Sequence, residues 1–335
     1  MSAISELAIS LLPVLIFLLA LIFLDSYKLI TLRAVLLTVF IGCVVAGVCL
    51  FLNTFFLTNF EIDSRLYSRY CSPIVEEVLK ALYVFYLIRA KKTGFMVDAA
   101  IYGFAIGAGF ALVENVYYLR SLSDATILLW IVRGFGTALM HGGTTAIFGI
   151  LAQSRSERQP SNIMVISAPA FLGAIAIHSL FNHFLLPPIM TTVALLVVLP
   201  FLVLVVFEQS ERATRKWLGI GFDTDMDLLE TINSGRISET RAGLYLESLK
   251  SHFPGEVVAD MLCLLRLHLE LAVRAKGILL MRQSGFRVHT DPEIKDRFVE
   301  LRYLENSIGK TGRLAMLPFL HTSRRDLWQL YMLGK

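Results

Sequence analysis

The chain has 335 residues, of which 56% are hydrophobic and 17% are charged, and its formal net charge is +4. A composition this apolar excludes an ordinary soluble protein, and the small net charge, with basic residues at the ends of apolar runs, argues against nucleic-acid binding. The four cysteines form no CxxC pair, which argues against a disulfide framework and a cysteine-rich metal site.

Seven apolar runs are long enough to cross a bilayer, which takes about 20 residues of helix. We therefore predict an all-α, polytopic membrane protein. Pro187 and Pro188 separate the last two runs, as expected of a break between helices. The predicted spans are 7–24, 34–57, 73–89, 95–118, 126–152, 163–186 and 188–207.

The distribution of lysine and arginine between the loops predicts the orientation. Lys28, Lys91, Arg155 and Arg212 lie after the first, third, fifth and seventh spans, whereas Arg65 lies on the opposite side. Cytoplasmic loops of membrane proteins are rich in these residues. We therefore predict an external N-terminus and a cytoplasmic C-terminus in the cell (inner) membrane.

The character of the chain changes from Glu208 onward, where acids and bases are mixed and no run is long enough to span a bilayer. We predict two domains, a transmembrane domain at 1–207 and a cytosolic all-α domain at 208–335. The second domain contains four predicted amphipathic helices. These are 223–233, 237–252, 256–282 and 292–307.

The third span begins with two carboxylates and an ammonium group inside an apolar run. Charged side chains in a membrane are costly and by default mark a functional site. Ser72 is predicted to cap the helix, and Pro73 to lie in its first turn. Glu76 and Lys80 are four residues apart, so we predict an ion pair between them, while Glu77 points about 100° away toward another partner.

Polar side chains also occur in the next three spans. The fourth carries Glu114, the fifth carries Arg133 and His141, and the sixth carries His178 and Asn182. We predict that Arg133 pairs with Glu114. His178 and Asn182 are four residues apart, so both can face one cavity.

The fourth span also contains Gly103 and Gly107 in a GxxxG spacing. This spacing is typical of helices that approach a neighbour closely in a membrane. We predict that both glycines are packing residues rather than parts of a site.

The predicted orientation places the polar groups at similar depths. Glu76 and Glu77 fall near the outer end of the third span. His178 and Asn182 fall in the outer half of the sixth span, and His141 falls near the middle of the fifth. Such groups suit hydrolysis, in which a glutamate takes a proton from water and His or Asn donors stabilise an oxyanion. They could instead bind a metal ion, because His and Glu are usual zinc ligands.

Three common peptide-hydrolysing chemistries lack their motifs in this sequence. There is no HExxH zinc motif and no Gly-x-Ser-x-Gly elbow. Asp98 is the only aspartate well inside a predicted span, so an aspartyl dyad would lack its second member.

At these positions the chain resembles the PrsW family of intramembrane proteases, which belongs with the CAAX prenyl endopeptidases in a glutamate-dependent superfamily. Residues 76–80 match a Glu-Glu-x-x-Lys motif, and residues 109–115 match a glycine-led helix that ends in Glu-Asn. Further matches are Arg133 with His141, and the His-x-x-x-Asn motif of residues 178–182.

The resemblance covers residues 70–186 and implies cleavage of a membrane-anchored protein near or within the bilayer. PrsW-like members act on anti-sigma factors in a bacterial envelope-stress cascade. By the same resemblance, the transmembrane domain at 1–207 is the expected protease domain. By resemblance, the catalytic residues are Glu76, Glu77, His141, His178 and Asn182, supported by Lys80, Glu114 and Arg133.

Members of this family are often described as metalloproteases. We expect a metal-free glutamate mechanism, and the alternative is a zinc ion held by Glu77, His141 and His178. The expected partners are the membrane-anchored substrate and the lipid bilayer. Residues 208–335, which the resemblance does not explain, could bind a partner or self-associate.

Two other functions fit the same pattern of residues. A transporter could use the Glu/His cavity for an ion or a proton, although no inverted repeat is visible between the halves of the chain. A membrane scaffold could use the C-terminal segment to bind a partner.

Overall fold

The computed structural model describes residues 3–24, 30–121, 132–158, 163–183, 185, 187–284, 286, 293–320 and 333. Within these residues the chain is helical almost throughout and contains no strand, which confirms the all-α prediction. Two compact units divide the chain, residues 1–211 and 212–335. That the first is a protease domain and the second a cytosolic domain stays a prediction.

The described part of the first unit contains α-helices and two π-helical turns. One, Tyr67–Cys71, precedes α4, and the other, Val132–Thr137, precedes α6. The helices are α1 (Ala3–Leu24), α2 (Leu32–Asn59), α3 (Ser64–Leu66), α4 (Ser72–Arg89), α5 (Met96–Ser121), α6 (Ala138–Arg158), α7 (Ile163–Asn182) and α8 (Pro188–Asn233), which begins in this unit.

Each of the seven predicted spans overlaps one of the helices α1, α2 and α4 to α8. Among the described residues, four helices are long and apolar enough to cross a membrane, and they lie in α2, α5, α6 and α8. Membrane crossing by α1, α4 and α7 stays a prediction. Residues 126–131 of the predicted fifth span lie outside the described residues.

Large apolar side chains cover the outer surface of α2. Leu36, Phe40 and Phe51 are 58%, 64% and 70% exposed. A contiguous exposed apolar face marks an interaction surface, and for a helix of this length and hydropathy lipid is the fitting contact. The opposite face of α2, which includes Val35, Ala46 and the polar Thr38, is buried.

The central helix of the first unit is α5, which packs against α1, α2 and α6. Its residues 99–111 are all buried, and most are alanine or glycine. A methyl group added at Gly103 would lie 2.5 Å from the backbone oxygen of Thr145, and one added at Gly107 would meet the backbone of His141. The predicted packing role of both glycines is confirmed, because α5 and α6 touch through their backbones.

Gly107→Ala should destabilise the protein by about 1–3 kcal/mol, the usual cost of overpacking. The added methyl group would lie 2.5 Å from the backbone carbonyl carbon of His141, so α6 must shift. Thermal unfolding of the purified protein in detergent measures the effect. Gly47→Ala, on α2, is the control, because its methyl group meets nothing within 4 Å. Equal unfolding temperatures for the two variants would contradict this packing.

The last apolar helix does not end where the composition changes. The sequence predicted a span at 188–207 and a separate helix at 223–233, but α8 is continuous over 46 residues. The separate helix is therefore wrong. Residues 208–222 contain no proline, so a change from apolar to charged side chains does not interrupt the backbone hydrogen bonds. Pro188 begins α8, as the predicted break at Pro187 and Pro188 requires.

The helices of the second unit follow α8 after Gly235, which has a left-handed backbone. The predicted helix at 237–252 is instead a 3₁₀ turn and a short helix, because Thr240 is extended and its hydroxyl accepts from the backbone N–H of Gly243. The elements are a 3₁₀ turn (Arg236–Glu239), α9 (Arg241–Leu249), α10 (Gly255–Gln283), α11 (Glu293–Ser307) and α12 (Gly309–Met316).

A leucine-rich core joins the helices of the second unit, with Met261 and Leu264 of α10 among its fully buried members. Outside this core, Lys276 and Asp225 form a buried ion pair at 2.7 Å, and the ring of Trp217 lies 5.4 Å from the ammonium group. A buried pair of this kind ties α10 to the end of α8 within the unit.

Candidate active site

Glu76 and Glu77 lie near the start of α4, which continues directly from the π-helical turn Tyr67–Cys71. The prediction that Ser72 caps α4 is wrong, because Cys71 before it already has helical backbone angles and makes no side-chain cap bond. A helix that continues from another turn needs no cap. The Ser72 hydroxyl instead donates to Glu76 Oε1 at 2.5 Å.

Lys80 is fully buried and pairs with Glu77 rather than with Glu76. Its Nζ lies 2.5 Å from Glu77 Oε1, so the predicted pairing with Glu76 is wrong. Spacings of three and four residues both place side chains on one helix face. The ammonium group lies on the Glu77 side because it also donates to His141 Nδ1 at 3.1 Å. The ring of Phe110 lies 4.8 Å from the same group.

Glu77 orients His178 of α7. His178 Nδ1 lies 2.8 Å from Glu77 Oε1. An ionised carboxylate only accepts hydrogen bonds, so Nδ1 carries the proton, and the neutral ring keeps a lone pair on Nε2. This Nε2 lies 3.8 Å from Glu76 Oε2. Glu77 therefore selects the tautomer that presents an acceptor nitrogen to Glu76.

Lys80 orients His141 of α6 in the opposite sense. An ammonium group only donates, so His141 Nδ1 accepts from Lys80, and the proton of the neutral ring lies on Nε2. The Nε2–H group donates to Glu114 Oε2 of α5 at 3.0 Å. The rings of His141 and His178 lie 4.8 Å apart and nearly perpendicular. Side chains from four helices thus meet in one cluster.

The two oxygens of Glu76 have different surroundings. Oε1 accepts from the hydroxyl of Ser72 and from Asn53 Nδ2 at 3.3 Å. Oε2 is buried and has no hydrogen-bond partner within the described part of the chain. A desolvated carboxylate oxygen without a partner is costly, and such groups are concentrated at functional sites. Glu76 therefore presents an oxygen without a described hydrogen-bond partner next to His178.

A cavity of about 370 Å³ opens beside this cluster. Glu76, Glu114, His178 and Asn182 line it, whereas Glu77 is not among the described residues of its wall. Asn182 Nδ2 donates to the backbone oxygen of Ser68 at 2.9 Å. The cavity is large enough for a short segment of extended peptide, and its wall contains both acceptors and donors.

Arg133 cannot be added to the cluster. Its backbone lies in the π-helical turn Val132–Thr137, but its side chain lies outside the described part of the structure. The predicted pairing of Arg133 with Glu114 stays a prediction. Glu114 Oε2 accepts from His141 Nε2 at 3.0 Å.

Asn53 and Tyr67 are the site residues that the sequence reasoning missed. Asn53 of α2 donates to Glu76 Oε1, and the Tyr67 hydroxyl donates to Asn53 Oδ1 at 2.9 Å. Both residues line the cavity. An asparagine inside an otherwise apolar predicted span was the available signal for Asn53, whereas Tyr67 lies outside every predicted span and gave none.

Glu76, His141 and His178 fit a metal ion. Each offers one ligand atom, and these atoms lie within 4.8 Å of one another. Glu76 Oε2 has no other described partner, and a histidine that donates its Nδ1–H to a carboxylate, as His178 does to Glu77, commonly binds metals through Nε2. Ligation by His141 Nε2 would require the ring proton to move to Nδ1, so Lys80 could then no longer donate to that nitrogen.

A bundle of apolar helices with this buried carboxylate and imidazole centre defines an intramembrane hydrolase. The chain belongs to the PrsW family of intramembrane metalloproteases, whose model matches residues 31–206. The match contains the whole cluster and leaves residues 212–335 outside it. No curated protein matches the chain, and no solved structure does.

Family membership confirms the resemblance drawn from residues 70–186. The chain is a membrane-embedded peptide hydrolase, and the transporter and scaffold alternatives are not favoured. The metalloprotease description also weighs against the expected metal-free mechanism. The candidate metal-binding group contains Glu76 in place of the expected Glu77, and Glu77 instead contacts Lys80 and His178.

Lys80→Ala should destabilise the protein by about 3–5 kcal/mol, because it leaves the buried carboxylate of Glu77 without its ammonium partner. Denaturant unfolding in detergent micelles measures the loss. Lys92→Ala is the control, because the bond of Lys92 to Tyr86 is exposed.

The double variant Glu77→Gln/Lys80→Met should recover part of this loss, because it leaves no buried charge unpaired. A Lys80→Ala variant as stable as Lys92→Ala would show that the buried pair does not support the site.

Proposed function

We propose that the chain hydrolyses a peptide bond within or next to the membrane segment of an anchored protein, with Glu76 as the group that activates water. One observation carries this proposal. Glu76 Oε2 is buried, has no hydrogen-bond partner among the described residues and lies 3.8 Å from His178 Nε2 at the cavity wall. A single molecule with two donor hydrogens could hydrogen-bond to both of these acceptors, and water is such a molecule.

The proposed reaction uses neighbouring groups in fixed roles. Water donates to Glu76 Oε2 and His178 Nε2, and its oxygen attacks the scissile carbonyl carbon as its proton passes to Glu76. The oxyanion accepts a hydrogen bond from Asn182 Nδ2, and His141 positions Glu114 at the cavity wall. The tetrahedral intermediate then releases the amine, which takes the proton from Glu76. Glu77 is a positioning residue that holds His178.

In the alternative form of this proposal a zinc ion held by Glu76, His141 and His178 would act as a Lewis acid on the scissile carbonyl, and Glu76 would then be a ligand instead of the proton acceptor. The donor set supports this part of the proposal, because two imidazoles and a carboxylate are usual zinc ligands. Glu77 remains outside this set and keeps the ring of His178 in place.

The substrate class and the orientation belong to the same proposal. We infer seven spans, an external N-terminus, a cytoplasmic C-terminus and a location in the cell (inner) membrane, from the apolar runs and the loop lysines and arginines. We also infer an anti-sigma-factor-like substrate with a membrane anchor, from the resemblance of the motifs. Residues 208–335 are then a cytosolic domain that can bind a partner or self-associate.

Glu76→Gln should abolish proteolysis, a loss of at least about 1000-fold, because glutamine cannot accept the proton from water. Membranes of cells that express the full chain or this variant are compared by mass-spectrometric mapping of protein N-termini. New N-termini within or beside membrane segments should appear only with the wild type. Glu61→Gln, at an exposed position before α3, is the control. Identical N-termini with wild type and Glu76→Gln would reject the proposed function.

The purified full chain should contain about one zinc ion, and chelation by 1,10-phenanthroline should remove both the metal and the cleavage. Glu76→Gln and His178→Ala should reduce the bound zinc, as measured by elemental mass spectrometry. His183→Ala is the control, because its ring contacts Tyr70 instead of the cluster. Cleavage by a metal-free preparation would reject zinc and leave the role of Glu76 in place.

A further inference from the structure

A chain of polar side chains reaches Glu76 Oε1, whereas His178 lies next to the other oxygen of Glu76. The Tyr67 hydroxyl donates to Asn53 Oδ1 at 2.9 Å. Asn53 Nδ2 lies 3.1 Å from Ser72 Oγ and 3.3 Å from Glu76 Oε1. The Ser72 hydroxyl donates to the same oxygen at 2.5 Å. Tyr67 is buried, although it lies in a turn between helices.

The donors in this chain can point in only one direction. Because a carboxylate only accepts, the amide nitrogen of Asn53 must face Glu76 and its carbonyl oxygen must face away. The Tyr67 hydroxyl meets that carbonyl oxygen as a donor. If the amide turned over, two acceptor oxygens would face each other at Glu76. Tyr67 thus stabilises the amide orientation that the carboxylate requires, in which Asn53 donates to Glu76.

We propose that Asn53 and Tyr67 are positioning residues that assign different roles to the two oxygens of Glu76. Asn53, held by Tyr67, donates to Oε1 together with Ser72, and Oε2 is left to face His178 and the cavity. Rotation of the carboxylate would break the bonds of Oε1 to Ser72 and Asn53. This inference rests on the proposed function, because the orientation of Glu76 matters only if its free oxygen reacts.

The helix that carries His178 also holds the turn that carries Tyr67. The hydroxyl of Ser179 donates to the backbone oxygen of Arg69 at 2.6 Å, and Asn182 Nδ2 donates to that of Ser68 at 2.9 Å. In a π-helical turn the altered backbone pairing leaves carbonyl groups available for such bonds, and these turns are frequent at functional sites. Helix α7 therefore carries His178 and also holds the turn in which Tyr67 lies.

Asn53→Ala and Tyr67→Phe should each lower kcat about 10- to 100-fold, as is usual for residues that orient a reacting group. KM should stay within about twofold, because neither side chain is proposed to bind substrate. Kinetics are measured with a quenched fluorescent peptide that contains the membrane segment cleaved in the N-terminal mapping. Asn59→Ala is the matched control, because Asn59 lies on α2 but bonds only locally, to Phe55 and Thr58, and should keep wild-type kinetics.

The double variant provides a test that a purely structural role would not pass. Tyr67 acts through Asn53, so Tyr67→Phe should cause no further loss of kcat in the Asn53→Ala background. Additive losses would overturn the inference, and so would a rise in KM with kcat intact, which would make Asn53 a substrate contact. Tyr67→Phe keeps the buried ring, so it carries the test alone if Asn53→Ala fails to fold.

The outcomes separate this inference from the proposed function. If Glu76→Gln retains cleavage, the proposed function has failed. If Glu76→Gln is inactive while Asn53→Ala and Tyr67→Phe keep the wild-type kcat, only the positioning role is rejected.

Discussion

The site depends on the carboxylate of Glu77, which has no described place in the cavity wall. A single oxygen, Oε1, accepts from Lys80 at 2.5 Å and from His178 at 2.8 Å. This one acceptor determines which nitrogen of His178 is protonated. Through Lys80 it also determines the tautomer of His141. The protonation of both imidazoles thus follows from one buried ion pair, since ammonium groups only donate and carboxylates only accept.

The second constraint is steric. The cluster draws on four helices, and their side chains reach one another only because α5 lies close to its neighbours. Alanine and glycine make up most of its buried segment 99–111, and Gly107 lies against the backbone of His141 itself. The glycines contribute no chemistry, yet they set the distance over which His141 reaches Glu114 and Lys80. Packing of small residues in the membrane therefore controls a polar geometry.

The composition of the cluster was predictable from the sequence, but its pairing was not. Charged and imidazole residues in apolar runs pointed to Glu76, Glu77, His141 and His178 because each is costly in lipid. Spacing could not decide between Glu76 and Glu77 as the partner of Lys80, because positions three and four residues apart share a helix face. Asn53 of α2 reaches Glu76 through a tertiary contact between helices, and no local sequence pattern predicts such a contact.

Glu76, Glu77 and Lys80 each have a polar partner within α4 itself. Lys80 reaches Glu77 three residues away, and Ser72 reaches Glu76 four residues away. Each of these contacts requires only the helix itself, because both partners lie on one face within about a turn of each other. A helix that neutralises or solvates its own charges crosses into lipid at lower cost than one with bare charges. As a predicted span, α4 therefore needs no neighbouring helix to give these charged groups a polar partner, and α6 and α7 bring their histidines to side chains that are partnered within α4.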